Sequence, residues 1–434
     1  MDALLKKHPW LTPGVSLVKW AVLACAVGLV CGLAGAAFYI STSWAQDFRT
    51  AHPALLTLLP LAGVAIALLY RLCGLERDGG ANTVLTAVRS GQGTPFRAAP
   101  LIFAATTLTH LAGGSSGREG AALQLGGAIS SALSGAVRLD KADHKVMTMC
   151  GMSAAFAAIF GTPLTAAVFA MEVVDVGAMY YAALVPCVLA SLVAVGAAGL
   201  LGVPPHAYDL AGVPALDGWS LLRTGALAVL FAVLSILFCR LIHAAGHLAR
   251  RLIPNSLLRG AAGGLLLLGM TALVWLWAPG TYDYNGPGGA VIDAAVAGQA
   301  RPEAFALKLL FTAVTLAAGF KGGEIVPAFF TGATFGCVAA PLLGLEPSFG
   351  AALGMVGLFC GITNCPMASL LLAFELFGGQ GLPLFALCAA ITYLLSGYGS
   401  LYSAQSFLFS KFSPEAMARR GGPDGPPSPP DPAE

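Results

Sequence analysis

The sequence predicts an all-α, polytopic membrane protein made of two inverted halves with tilted and broken helices, and three observations predict it. Of the 434 residues, 57% are hydrophobic and 10% charged, and the mean hydropathy of +0.78 lies far above that of soluble domains. Apolar runs are interrupted by glycine and proline at membrane depth, as at Phe160-Gly161-Thr162-Pro163. Such breaks are tolerated only where they are buried or line a cavity, as they do around transport sites. Finally, Gly151, Met152, Pro163 and Glu172 recur as Gly354, Met355, Pro366 and Glu375 at one constant offset. Ala112, Gly114, Gly117, Glu119, Gly127 and Ala128 recur as Ala317, Gly319, Gly322, Glu324, Gly332 and Ala333 at nearly the same offset. Two blocks repeated in one order point to internal duplication, and inverted topology is the usual form when broken helices meet at a midplane.

A formal net charge of +2 gives no reason to expect a nucleic-acid partner. The ten cysteines show no CxxC pair or metal spacing, and most lie within apolar runs, so they read as small core residues; no metal and no cofactor is expected.

In chain order, residues 1–14 carry Lys6, Lys7 and His8 and read as a cytoplasmic N-terminus before a first span from Val15 to about Trp44, too long for a signal peptide. Gly28 and Gly32, four apart, mark either a helix contact or ordinary glycine use in a membrane helix. Residues 15–202 form the first half of the transmembrane domain. Leu55 to Leu75 is a second span. Gly79-Gly80-Ala81-Asn82-Thr83 starts a helix from Val84 to Ser90 that is too short to cross. The segments Met147–Ile159 and Leu164–Val173 flank the break at Pro163. Ala182–Leu201 and Leu221–Ile242 read as full spans around a polar loop. Arg240, His243, His247, Arg250, Arg251 and Arg259 then form the most basic connection and should be cytoplasmic. Residues 203–412 make the second half, and the proline-rich residues 413–434 read as a disordered cytoplasmic tail with no appended regulatory domain.

The stretch that organises the chain is Gly113-Gly114-Ser115-Ser116-Gly117-Arg118-Glu119-Gly120. Glycine pairs turn the backbone and leave N–H groups uncovered, and the following apolar run starts a helix, so Glu119 sits at a helix N-terminus. The first N–H groups of a helix lack internal partners and carry partial positive charge, which makes an anion site. An external anion and the Glu119 carboxylate would compete for these donors, and protonation of Glu119 would favour the external ion. Lys321-Gly322-Gly323-Glu324-Ile325-Val326-Pro327 is a second helix start of this type, with Glu324 either relaying protons or capping the helix. Glu172 and Glu375, equivalent in the two copies, read as packing or capping residues. Asn82, Thr83 and Thr363 read as polar site residues or plain caps.

The combination of Gly117-Arg118-Glu119-Gly120, the glycine-rich helix start ending in Pro327, the break at Pro163 and the late Tyr402 resembles the CLC family of chloride channels and anion/proton antiporters, over about residues 15 to 410. The resemblance implies that Glu119 is the gating glutamate and that the Tyr402 hydroxyl faces the anion. It implies anion contacts at Ala81, Asn82, Gly117, Arg118, Gly120, Glu324, Ile325 and Val326. It further implies a homodimer with one pathway per subunit in a bacterial plasma membrane. Two positions depart from the chloride-type pattern: Ala81 stands in the Gly-Ser-Gly-x-Pro segment without the serine hydroxyl, and the intracellular proton glutamate falls on Val173. With Gly319 to Glu324, Thr363 to Pro366 and Glu375 to Gly378, the chain is similar to the bacterial fluoride-exporting branch, although Val326 replaces that branch's usual threonine. The implied activity is fluoride export in exchange for protons. The alternatives are a chloride/proton antiporter or a passive chloride channel. A remote rival is an intramembrane serine protease using Gly114-Ser115-Ser116-Gly117 with His110, for which no second deep histidine stands out.

Overall fold

The computed structural model describes residues 12–76, 78–413 and 416–420. The basic N-terminal residues, Arg77, residues 414–415 and residues 421–434 therefore lie outside the described residues, whereas Ala416–Arg420, expected within a disordered tail, form a strand. Sixteen α-helices of at least eight residues follow one another among the described residues. The first half contains α1 (Thr12–Ala51), α2 (Leu59–Leu72), α3 (Ala81–Ser90), α4 (Ala98–Ala112), α5 (Glu119–Ala136), α6 (Lys141–Phe160), α7 (Pro163–Glu172) and α8 (Leu184–Leu200). The second contains α9 (Gly218–Leu252), α10 (Ser256–Trp277), α11 (Gly289–Val296), α12 (Ala304–Ala318), α13 (Ile325–Ala339), α14 (Pro347–Thr363), α15 (Pro366–Phe377) and α16 (Leu382–Leu395). Among the described residues six helical segments are long and apolar enough to cross a membrane, while α4, α7, α12, α14, α15 and α16 are apolar but shorter.

Several bounds depart from the sequence reading. The helix before the Pro163 break starts at Lys141, capped by the Asp140 carboxylate accepting from the Asp143 amide at 2.8 Å, and has 20 residues rather than a half-span. Arg240, His243, His247, Arg250 and Arg251 are not in a connection: α9 continues through them, and the turn before α10 is three residues long. The whole span α10 is an addition, since its basic start at Arg259 masks it in the sequence. The fold is all-α apart from a small sheet, in which β1 (Asp175–Val176) pairs in parallel with β2 (Ser406–Phe409), and β2 antiparallel with β3 (Ala416–Arg420).

Without a hydrophobic driving force between helices in lipid, close packing depends on small residues. Gly28 and Gly32 make the contact between α1 and α8: a Cβ on either would stand 2.6 Å from the backbone of Ala190 or Ala194. Gly126 meets Gly151 where α5 crosses α6, and Gly332 meets Gly354 where α13 crosses α14, each with a hypothetical Cβ about 2 Å from the facing carbonyl oxygen.

These paired crossings reveal a two-fold relation between the halves, and Glu172 and Glu375 show it most directly. The Glu172 carboxylate accepts from the amides of Met367 (3.1 Å) and Ala368 (2.8 Å) at the start of α15. Glu375 accepts from Leu164 and Thr165, both at 2.8 Å, at the start of α7. Each half supplies the carboxylate that satisfies the orphan N–H groups of the other half's helix. Both acids are therefore caps, as their equivalence suggests. Thr363 is not one: it ends α14, where its hydroxyl bonds back to the Phe359 carbonyl (2.7 Å).

The structure corrects the alignment of the other block by one residue. Gly113 and Gly319, both with φ above +90° or at it, are the left-handed C-caps of α4 and α12, and α5 starts at Glu119 where α13 starts at Ile325. Arg118 and Glu324 are thus equivalent as N-cap residues, and the counterpart of Glu119 is Ile325. Glutamate could be matched to glutamate because a glycine pair in each loop, Gly113-Gly114 or Gly322-Gly323, faces a single glycine in the other, Gly319 or Gly117, so that glycines coincide in either register.

Candidate functional site

The two motif loops meet backbone to backbone. Gly117 and Gly323 exchange both N–H···O=C bonds at 2.7 Å, a self-reciprocal pair of the kind a two-fold axis requires. The glycines are needed for this approach: a Cβ on Gly322 would lie 2.2 Å from the Ser116 hydroxyl, and one on Gly323 would lie 2.5 Å from the Gly120 amide nitrogen. Behind them the Ser115 amide donates to the Thr315 hydroxyl (3.0 Å), and the Ser115 hydroxyl pairs with that of Thr312 (3.1 Å), tying the first loop to α12.

Glu119, 2% exposed, folds its carboxylate back onto the helix ends. The Arg118 amide donates to Oε2 at 2.9 Å, the Glu119 and Val326 N–H groups face the same carboxylate, and the Arg118 guanidinium stands 3.9 Å from Oε1. Amides from the starts of both α5 and α13 therefore converge on one carboxylate, which occupies the place an external anion would take. Gly117 makes room for it, since a Cβ there would stand 2.4 Å from Oε2 and 3.0 Å from the Val326 Cβ.

Two cavities flank this partition. The larger, about 340 Å³, is lined by Glu324, Tyr402, Ala81, Asn82 and Lys321 and reaches His243 and Arg250 near the end of α9. It is the inner cavity, named after the side on which the basic end of α9 is expected. The smaller, about 160 Å³, holds Glu119, Arg118 and Val326 with His206 and Asp293. Glu119 and Glu324 therefore face opposite cavities, which the one-residue shift between Glu119 and its true counterpart explains.

The remaining expected residues divide as follows. The Tyr402 hydroxyl is buried, lines the inner cavity and has no hydrogen-bond partner. Asn82 uses its Oδ1 to accept from the Ala404 amide (2.9 Å), and its own amide donates to the Gly79 carbonyl (3.3 Å); its side-chain NH₂ is the donor left for an anion. Thr83 bonds locally, accepting from the Gly79 amide and donating to Asp78, both at 3.0 Å. Gly120 lines the inner cavity behind Glu324, whose Oε2 would be 3.1 Å from a Cβ there. Glu324 is the N-cap residue of α13 but makes no capping hydrogen bond with its side chain, so the plain cap is overturned. Arg118 stacks 3.9 Å over the Tyr39 ring and donates to Ser43 (2.8 Å) on the outer side. Ile325 is fully buried within the partition.

Sequence reasoning passed over Asp78, Gln124, Lys321, His206 and Asp293. Gln124 donates to Asp78 (2.6 Å) across the inner cavity, and the Lys321 ammonium sits 4.2 Å over the Tyr70 ring. Lys321 had a signal, being the cation within the second glycine-rich start. His206 had none, because it lies in the loop between the two halves.

A family model described as voltage gated chloride channel matches residues 61–397. The chain belongs to this family, the CLC proteins. Among its CLC relatives is the "Chloride/fluoride channel protein" of Pseudomonas syringae pv. tomato, 38% identical over 400 residues that cover 91% of this chain and 88% of the relative. The H(+)/Cl(-) exchange transporter ClcA of Vibrio vulnificus is 26% identical, over 85% of this chain and 84% of the relative. The crystal structure of a CLC-type fluoride/proton antiporter superposes with a TM-score of 0.85 at 31% identity, covering 90% of this chain and 98% of the other. That of a slow cyanobacterial Cl-/H+ antiporter superposes with 0.72 at 19%, over 87% and 94%, a likeness of fold alone. The CLC fold accounts for Ser115 and His110 without proteolysis. Ser115 is tied to α12, His110 bonds through Nδ1 to the Thr106 carbonyl (2.8 Å), and neither the Ser116 hydroxyl nor His110 Nε2 has a partner, so His110 is not hydrogen-bonded to the serines of this motif as a base would be.

Proposed function

We propose that this CLC protein exports fluoride from the cell in exchange for protons, from a bacterial plasma membrane and as a homodimer with one pathway per subunit. The observation that carries the reading is the Glu119 carboxylate held between two helix starts, on the partition between two cavities. Deprotonated, Glu119 holds the amides and bars the anion. Protonated, it is a weaker acceptor and can swing out, leaving the amides to the anion. Each exchange of occupant then moves a proton one way and an anion the other.

Fluoride is small, tightly hydrated and a strong acceptor, so it gains more than chloride from short N–H and O–H donors. The backbone amides, the Asn82 side-chain NH₂ and the free Tyr402 hydroxyl supply such donors without the serine hydroxyl that Ala81 lacks. The likeness to a relative called a chloride/fluoride channel protein and to a fluoride/proton antiporter supports the same ion. The homodimer and the plasma membrane rest on the family resemblance.

The test is flux in reconstituted vesicles. An outward fluoride gradient should drive protons uphill with voltage clamped by valinomycin and potassium, and chloride should move far more slowly. Glu119→Gln should abolish the uphill proton movement whatever happens to the anion. Equal chloride flux would remove the ion preference; proton pumping by the variant would remove Glu119 from the mechanism.

A further inference from the structure

The outer cavity contains more chemistry than holding Glu119 requires. It brings together an exposed carboxylate, Asp293 on α11, a half-buried imidazole, His206 in the loop between α8 and α9, and the nearly inaccessible Glu119. Exposure falls in that order from solution towards the partition. His206 Nδ1 is buried and has no hydrogen-bond partner, which is costly for a ring nitrogen unless it meets a water or a proton. The ring is fixed: its amide donates to the Phe160 carbonyl (3.2 Å), and it packs at 5.7 Å on Phe160 and 6.4 Å on Tyr39. The opposite partner of Tyr39 is the Arg118 guanidinium, beside Glu119. A cavity of about 160 Å³ has room for several waters between these groups.

We propose that His206, with Asp293 on its solvent side, is the port through which protons from the outer solution reach Glu119. The inference rests on proton exchange at Glu119 as proposed above. The imidazolium releases the Nδ1 proton to a cavity water, which protonates the Glu119 carboxylate. The neutral ring then takes its next proton from solution past Asp293, so one proton is moved and the ring is restored. The charged and titratable groups facing His206 are Arg118 and Glu119 at the start of α5, Asp293 on α11, Tyr39 on α1, and Tyr208 in its own loop, which lies beside Asp293. From α15, Glu375 is turned away to the α7 amides. Burial, then the Arg118 charge, pushes the His206 pKa below its ordinary value, opposed by the Phe160 carbonyl and then by Asp293. The ring is therefore neutral at neutral pH and loads as the outer side acidifies.

The experiment is fluoride-driven proton uptake into vesicles as the outer pH is lowered from about 7.5 to about 5, around the histidine range. Wild-type uptake should rise on acidification. His206→Gln should lose about 100-fold at the acid end, the low end of the range for a lost proton-transfer group, with a flat profile. In His206→Ala, millimolar imidazole should restore the rise, which repacking of the loop would not do. Asp293→Asn should shift the rise to lower pH, because the ring loses its stabilising anion, and this variant decides the matter if the His206 variants fail to fold. A wild-type profile in folded His206→Gln, no imidazole rescue, or an unmoved Asp293→Asn profile would each overturn the port while leaving exchange at Glu119 intact. A wild-type protein that moves no protons would overturn both.

Discussion

Glu172 precedes Val173, the position where chloride-type relatives are expected to carry a proton glutamate, so its role decides whether a second acid lies on the proton route. The structure makes it a cap, with two amides of α15 at 3.1 and 2.8 Å and 7% exposure. Hydrogen bonds to a charged partner contribute roughly 1.5–3 kcal/mol each. Glu172→Ala removes both and strands the Met367 and Ala368 amides, so a loss of about 3–5 kcal/mol is expected. Glu172→Gln keeps one acceptor oxygen and should lose about half as much. Glu375→Ala, at the equivalent but half-buried position, should cost less because water can reach the Leu164 and Thr165 amides. Thermal unfolding in detergent would read the series. Extending an unfolding entropy of about 2 cal/mol/K per residue to a chain of this size turns the Glu172→Ala loss into a fall of about 3–6 °C. Fluoride-driven proton transport by the folded Glu172→Gln protein should match wild type. Unchanged melting together with lost proton coupling would refute the capping argument and place Glu172 on the proton route.

Gly117→Ala forces Oε2 of Glu119 away from a Cβ that would stand 2.4 Å from it. Lengthening the 2.9 Å bond to the Arg118 amide should cost roughly 1.5–3 kcal/mol, or about 10- to 150-fold in the hold of the carboxylate on the site, read as tighter fluoride binding by calorimetry; unchanged affinity counts against competition for the amides. Glu324→Gln should lower proton flux without loss of folding, since the side chain makes no cap bond, and full coupling would leave Glu324 as a lining residue only. Tyr402→Phe removes the free hydroxyl and should weaken fluoride binding by about 1 kcal/mol or somewhat more, with chloride less affected; equal binding of fluoride would take Tyr402 out of the site.

The sequence by itself determined the membrane class, the duplication and the helix start at Glu119, because hydropathy, proline, glycine and capping signals act over a few residues; it left Gly28 and Gly32 open between a helix contact and ordinary use, which the structure decided for contact. It also held the reciprocal placement of Glu172 and Glu375, though only as an equivalence. Helix ends were less legible: α9 runs three turns past its apolar stretch, since a helix leaving the bilayer needs no further hydrophobic side chains and its Arg and His side chains can reach water. Only the tertiary structure decided which acids face which cavity. Local identity favoured Glu119 against Glu324, whereas the C-caps at Gly113 and Gly319 and the Gly117–Gly323 bridge set Glu119 against Ile325. The same limit hid His206 and Asp293. They lie far apart in the chain, carry no motif, and become neighbours of Glu119 only when the loop between the halves packs its Pro205 backbone on Gly161, a contact between distant segments that no local pattern encodes.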